Sequence, residues 1–379
     1  MAAVILIFSV GMVLYIYAGY PLAAAVLARV RARKVRQADL APTVSILIAA
    51  YNEEEVIAAT VLNKLSLDYP GARLEVIVVS DGSNDGTDAA VKAIADPRLR
   101  LLRQYPRAGK TAALNAAVQL ARGEILVFSD ANSLFRPDAL GKLVRNFADP
   151  QVGYVTGKMV YVDARGTIAG DGCGAYMRYE NWLRRQESAF GSVIGVDGGI
   201  DAVRRALYRP MRPDQLPDFV LPLAVVDQGY RVVYEPEALL HEASLENPRD
   251  EYRMRVRVSL RALWALKDMR HLLAPWRDPV FAWQLWSHKV LRYLSFLFLG
   301  GAFLANAALW NAGAPYRLLF SVQILAYAGA ALFHCVRGAG QSRPLRFLYY
   351  FLLVNAAAAH AFGKFLLGRK QVLWTPRKG

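Results

Sequence analysis

Between residues 42 and 133 short buried-strand patterns alternate with helical ones, and each strand runs directly into a polar turn. Apolar, β-favouring runs at 42–50 (PTVSILIAA), 74–80 (LEVIVVS), 99–103 and 125–128 (ILVF) read as strands. The stretches 53–66, 85–95 and 110–121 between them read as helices. That order predicts an α/β domain with a mostly parallel sheet and helices on both faces. Open sheets of this kind place ligands beyond the carboxyl ends of their strands. There the chain carries YNEE from Tyr51, DGSNDGT from Asp81 and SDANS from Ser129. After Pro137 the alternation weakens. A strand over 152–161 and helices over 174–190, 216–228 and 249–266 are expected, the last with Arg253, Arg257 and Arg261 at four-residue spacing.

The ends of the chain are of another kind. A hydrophobic fraction of 55% with a net charge of +15 over 379 residues points away from an ordinary soluble enzyme. Residues 2–28 hold no charge and exceed the roughly 20 residues a helix needs to cross a bilayer. In a cleaved signal peptide the basic flank precedes the apolar run, whereas here Arg29, Arg31, Arg33, Lys34 and Arg36 follow it. A retained transmembrane helix is therefore expected, with the domain after it on the cytoplasmic side of a plasma or inner membrane. The basic run meets anionic lipid in this reading, not nucleic acid. Residues 273–290 are amphipathic and suit an interfacial helix, and about three apolar helices are expected over 291–367. Alternation would put the carboxyl terminus outside, whereas Lys364, Arg369, Lys370, Arg377 and Lys378 argue for inside. The predicted division is thus 1–28 membrane helix, 29–41 basic linker, 42–272 catalytic domain, 273–290 interfacial helix, 291–367 membrane helices and 368–379 basic tail. Cys173 and Cys335 are too few for a disulfide framework or a cysteine-rich zinc site.

The strand ends supply candidate chemistry. Asp130 and Asn132, one residue apart, offer two oxygens to a hard divalent cation that also touches phosphate. A turn in which Asp130 caps and Asn132 tolerates an unusual φ would use the same residues. Tyr51 offers a flat face, and Asn52 and Glu53 offer groups that pair with a base or ribose, although Asn52 could equally cap the next helix. Asp81 and Asp85 lie among glycines that let backbone approach a ligand. Lys110 opens a helix and could reach a pyrophosphate. The chain has neither GxxxxGK[ST] nor GxGxxG, which counts against kinases, ATPases and dehydrogenases.

YNEE, DGSNDGT, GKTAALN from Gly109 and SDANS, followed by VGYVTG, YENWLRRQES, GVDGGIDAVRR and LPDFVLPLAVVDQGYRVVYEPEA, closely resemble the inverting family 2 glycosyltransferases of GT-A fold. With membrane helices on both sides the chain looks like the processive synthases of hyaluronan, chitooligosaccharide, poly-N-acetylglucosamine and cellulose. The resemblance implies that Tyr51, Glu53 and Asp81 hold the nucleoside of a UDP-sugar and Lys110 a phosphate. Asp130 and Asn132 would hold Mg²⁺ or Mn²⁺. Asp218 would be the general base, and Gly198, Gly199, Arg204, Arg205 and Arg257 would line the acceptor site. His241 is a weaker candidate for a third metal ligand. Three departures stand out: Asn132 in place of a second aspartate, Pro217 in place of the acid before the base, and Met254 and Val258 where the Q-x-x-R-W motif has glutamine and tryptophan.

The implied activity is a membrane-bound transferase that builds an extracellular polysaccharide, with a glycan acceptor and the other components of an export system as partners. A single-transfer enzyme acting on a lipid-linked or lipid-phosphate acceptor would share every donor-site residue. A catalytically silent nucleotide-binding partner of a synthase is the reading from another class; Asn132 favours it, while Asp218 and Lys110 oppose it.

Overall fold

The computed structural model describes residues 1–162, 172–243, 248–335 and 343–373. Its amino-terminal helices α1 (Ala2–Leu14) and α2 (Tyr20–Val30) join through a π-helical turn, Tyr15–Gly19, into one uninterrupted rod. The α/β domain then follows the expected order: β1 (Val44–Ala50), α3 (Ile57–Leu65), β2 (Leu74–Asp81), α4 (Thr87–Lys92), β3 (Leu99–Gln104), α5 (Lys110–Leu120) and β4 (Ile125–Asp130). Further on come β5 (Leu134–Phe135), α6 (Ala139–Val144), β6 (Val152–Val162), α7 (Gly172–Phe190), β7 (Ile200–Arg204), α8 (Pro217–Asp227), β8 (Arg231–Ala243) and α9 (Pro248–Asp268).

The strands form one sheet in the order β3-β2-β1-β4-β7-β6-β8-β5. Its first four strands are parallel, with β1 between β2 and β4. Successive residues of β1 serve opposite faces: Leu47 and Ala49 join one core with Ile77, Val79, Leu126 and Phe128, while Ile46 and Ile48 join the other with Val76, Val78 and Val127. A strand covered on both sides must be apolar at every position, which is why these runs do not alternate in sequence. Beyond β4 the sheet is mixed, although most of its pairings, including that of β6 with β8, are parallel as expected. β7 runs antiparallel to β4 and β6, and β5 antiparallel to β8. Neither β7 nor β8 shows a strand pattern, because Asp201 interrupts the first and Glu235-Pro236-Glu237 the second.

After the domain come α10 (Pro279–Leu285), a π turn (Trp286–Val290), α11 (Leu291–Tyr293), α12 (Ser295–Ala308), α13 (Ala314–Cys335) and α14 (Arg343–Leu366). Asp278 caps α10, accepting from the amides of Val280 and Phe281. The polar face of the expected interfacial helix turns inward. Gln284, Ser287 and His288 are buried against the domain and the amino-terminal helix, bonding Ser192, Tyr15 and Glu187, while Trp286 is exposed. Among the described residues one helix, Ala2–Val30, is by itself long and apolar enough to cross a membrane. The pair Pro279–Tyr293 and Ser295–Ala308, bent by 56°, is a second candidate only as one broken span. Of the expected basic tail, residues 374–379 lie outside the described residues. The stretch before them folds back on the catalytic domain: Trp264 Nε1 donates to the Arg369 carbonyl at 2.9 Å, Lys370 pairs with Asp214 at 2.5 Å, and Val372 lies against Gly109.

Candidate active site

A cavity of about 320 Å³ opens at the carboxyl ends of β1 and β4, walled on the far side by α7, α9 and the π turn after α10. β4 delivers Asp130 to its floor and α5, starting after Gly109, delivers Lys110. The two meet at 2.6 Å. α8 begins at Pro217, whose missing N–H costs nothing in a first helical turn, and sets Asp218 4.0 Å from the same ammonium. Lys110 thus sits between two carboxylates from elements nearly ninety residues apart. Burial would lower its pKa, but Asp130, Asp218 and Asp201 reverse this and hold it above the ordinary lysine range. Asp218 itself is pushed up by burial, against the pull of Lys110, with Asp130 adding to the rise and Arg261 and Arg257 opposing it. Glu53 is raised to about 7 by burial and by the charges of Asp130 and Asp85.

Two neighbours shape the position of Asp218. Gly198 has φ +84°, and a Cβ there would fall 2.4 Å from the Asp218 carboxyl carbon, so only glycine lets this backbone lie against the acid. Arg261 of α9 donates to the carbonyls of Pro213, Asp214 and Gln215 and to the Thr111 hydroxyl, tying α9 to the segment that enters α8. Burial lowers its pKa to about 10 despite Asp218.

The cavity gathers Glu53, Lys110, Asp130, Asn132, Asp218 and Arg257 from the residues expected of the site, along with Met254 and Val258. Tyr51 and Asp81 lie beside it. The Arg107 guanidinium covers the Tyr51 ring at 3.3 Å. Asp81 is fully buried and accepts from Gln104 at 2.6 Å and from the amides of Ala108 and Gly109 at 2.8 Å, which fixes the loop leading to Lys110. Asn52 does not cap α3; with φ +53° it exchanges hydrogen bonds with Asn84 and so joins the first two strand-end turns. Gly199 packs on Leu240 and Met159.

Arg204 and Arg205 are a correction. Because β7 runs antiparallel to β4, Arg204 pairs with Ile125 at the opposite end of the strand from Asp130, where it binds the carbonyls of Phe147, Asp149 and Val152, and Arg205 binds that of Ala121. They brace the sheet's far edge, not an acceptor site. His241 on β8 pairs with Leu134 on β5 and does not line the cavity; among the described residues no three His, Cys, Asp or Glu side chains cluster as a metal site. Asp130 and Asn132 still offer two oxygens of the kind a hard cation takes, and a diphosphate and water would complete such a shell.

The sequence reading missed the far wall: Tyr176, Glu180 and Arg184 of α7, Asp197, and Lys289 and Tyr293. Glu180, Arg184 and Asp197 lie in the motifs YENWLRRQES and GVDGGIDAVRR, and Arg261 in the four-residue spacing of arginines on α9, but none of these signals placed them at the cavity.

A Rossmann-like sheet that turns mixed after β4, with a lysine between two acids at the cavity it opens on, defines a GT-A-like α/β fold. Residues 45–209 match the family described as glycosyl transferase family 2. It is 34% identical over 168 residues to beta-monoglucosyldiacylglycerol synthase of Trichormus variabilis, covering 43% of this chain and 36% of that protein. It is 26% identical over 268 residues to poly-beta-1,6-N-acetyl-D-glucosamine synthase of Staphylococcus epidermidis, covering 67% and 65%. The solved mannosyltransferase PcManGT of Pyrobaculum calidifontis, in complex with GDP-Man and Mn²⁺, superposes with a TM-score of 0.74 at 26% identity, over 97% of this chain and 100% of that one. The chain thus spans from about a third to two thirds of the length of these curated relatives.

Proposed function

We propose that the chain is a membrane-anchored, inverting glycosyltransferase that moves a sugar from a nucleoside diphosphate sugar to an acceptor hydroxyl, with Asp218 as general base. The observation that carries this reading is Lys110 held between Asp130 and Asp218 at the strand ends. Asp218 takes the hydroxyl proton, the acceptor oxygen attacks the anomeric carbon, and the bond from that carbon to the diphosphate breaks on the opposite face. Lys110 and Arg257 face the negative charge that grows on the departing diphosphate. Mg²⁺ or Mn²⁺ held by Asp130 and Asn132 would supply further neutralisation of that charge. Glu53 lies beside the diphosphate end; Tyr51, with Arg107 stacked on it, and Asp81, through the loop it fixes, serve the nucleoside end.

The donor base is left to uridine by the resemblance and to guanosine by the GDP-Man neighbour. Extension of a polysaccharide is supported by the longer match to the poly-N-acetylglucosamine synthase. Single transfer to a lipid-borne acceptor is supported by Met254 and Val258, which line the cavity where a synthase motif has glutamine and tryptophan. The apolar Ala2–Val30 followed by Arg31, Arg33 and Lys34 supports an anchor with the catalytic domain on the cytoplasmic side.

The test uses the full chain in detergent with a panel of UDP- and GDP-sugars. Release of nucleoside diphosphate from one donor that needs added divalent cation is expected, with inverted anomeric configuration in the product. A retained configuration would remove the mechanism, and silence with every donor would remove the enzyme reading.

A further inference from the structure

The far wall of the cavity carries more positive charge than its carboxylates compensate. Glu180 is already neutralised by Arg292 at 2.6 Å, and Asp197 by Arg184 at 2.6 Å. Lys289 comes on top of these pairs. Its ammonium reaches over the Gly195 backbone, where any Cβ would stand 2.5 Å from Nζ, and faces the cavity with the Phe219 ring centroid 5.7 Å away. It makes no hydrogen bond or salt bridge to any described residue.

A lysine that serves only packing behaves differently. Buried Lys64 in this same protein donates to the carbonyl of Ser133 at 2.5 Å and to Asn63 at 3.0 Å. An ammonium withdrawn from bulk water without such partners is costly, and an anion that arrives with a ligand would offset that cost.

We propose that Lys289 forms an anion subsite that takes the phosphate of a lipid acceptor. The compact, three-donor ammonium suits a phosphate, whereas a planar carboxylate is better matched by a guanidinium fork. Phe219 ties the subsite to the transfer centre, since it directly follows Asp218. The π turn bearing Lys289 leads into α12, an apolar helix packed along α1, so a molecule held here by its phosphate would have its hydrocarbon beside those helices. The Tyr176 and Tyr293 side chains line the same end of the cavity. The inference rests on the reading of this cavity as the transfer site and names its acceptor class.

The probes are farnesyl phosphate, farnesol and inorganic phosphate, titrated by calorimetry into the full chain in neutral detergent. Farnesyl phosphate is expected to bind at least tenfold more tightly than either other probe. K289M should lose about tenfold or more of that affinity, and K289R should retain most of it, while thermal melting confirms that both variants are folded. Equal binding of farnesyl phosphate to wild type and K289M, or of farnesol and farnesyl phosphate to wild type, would overturn the proposal. Inorganic phosphate binding as tightly as farnesyl phosphate would overturn the lipid source. Titration of the donor found in the sugar-nucleotide panel is a separate measurement. Loss of donor binding with intact, Lys289-dependent farnesyl phosphate binding would sink the transferase reading alone.

Discussion

At the scale of single residues the cavity separates groups that do chemistry from groups that hold them. Asp218→Asn keeps the volume and the first-turn position but cannot accept a proton. It should cost roughly 10² to 10⁴ in transfer rate with nucleotide affinity and melting temperature nearly unchanged. A variant that turns over at the wild-type rate would make Asp218 a structural acid. Asp201 makes the opposite case. It is buried on β7, and burial raises its pKa to about 7, with Asp218 and Asp197 adding to the rise against the Thr156 and Tyr154 hydroxyls. The folded protein therefore holds a proton that the unfolded chain releases near pH 4. Its contribution falls as pH rises from about 4 to about 7 and levels off above that. Asp201→Asn should raise stability at pH 8 by on the order of 3 kcal/mol and leave it unchanged at pH 4. Melting curves of the two proteins that stay parallel across that range would refute the assignment.

At the scale of elements the donor side depends on how the turn after β2 grips the loop before α5. The Asp81 carboxylate is the shared partner of Gln104 and of two backbone amides just ahead of Lys110. Asp81→Ala leaves those amides buried without an acceptor, at a cost of about 3 kcal/mol. Melting temperature and nucleotide affinity should then fall together. A drop in affinity at constant melting temperature would mean that the carboxylate touches the nucleoside directly. The motif DGSNDGT was legible as a site because glycines and acids cluster at a strand end. Its division of labour was not, because the partners of Asp81 lie more than twenty residues further along.

At the scale of the whole molecule the contact of residues 369–373 with the domain decides a question of topology. Trp264, Asp214 and Gly109 all meet this stretch, so both ends of the catalytic domain's neighbourhood lie on one side of any membrane the helices cross. A carboxyl-terminal tag should be cleaved by protease in inside-out vesicles and protected in right-side-out ones. The reverse pattern would contradict the fold as a membrane protein. The basic residues near the carboxyl terminus and the simple alternation of apolar segments give opposite expectations for that side, and the first of those segments bends by 56° instead of running straight.

The sequence by itself determined the parallel half of the sheet, the strand-end turns and the gathering of Glu53, Lys110, Asp130 and Asn132 near that edge. Each of these is a local matter: an apolar, β-favouring run too short for a helix reads as a strand buried on both faces, and the turn that ends it presents polar groups at that edge. Only the tertiary structure decided that β7 runs antiparallel and carries Arg204 and Arg205 away from the site, that Gly198 lies against Asp218, and that Lys289 faces the cavity. Those facts depend on which segments pair across a hundred residues or more, and side-chain periodicity along the chain holds no record of that choice.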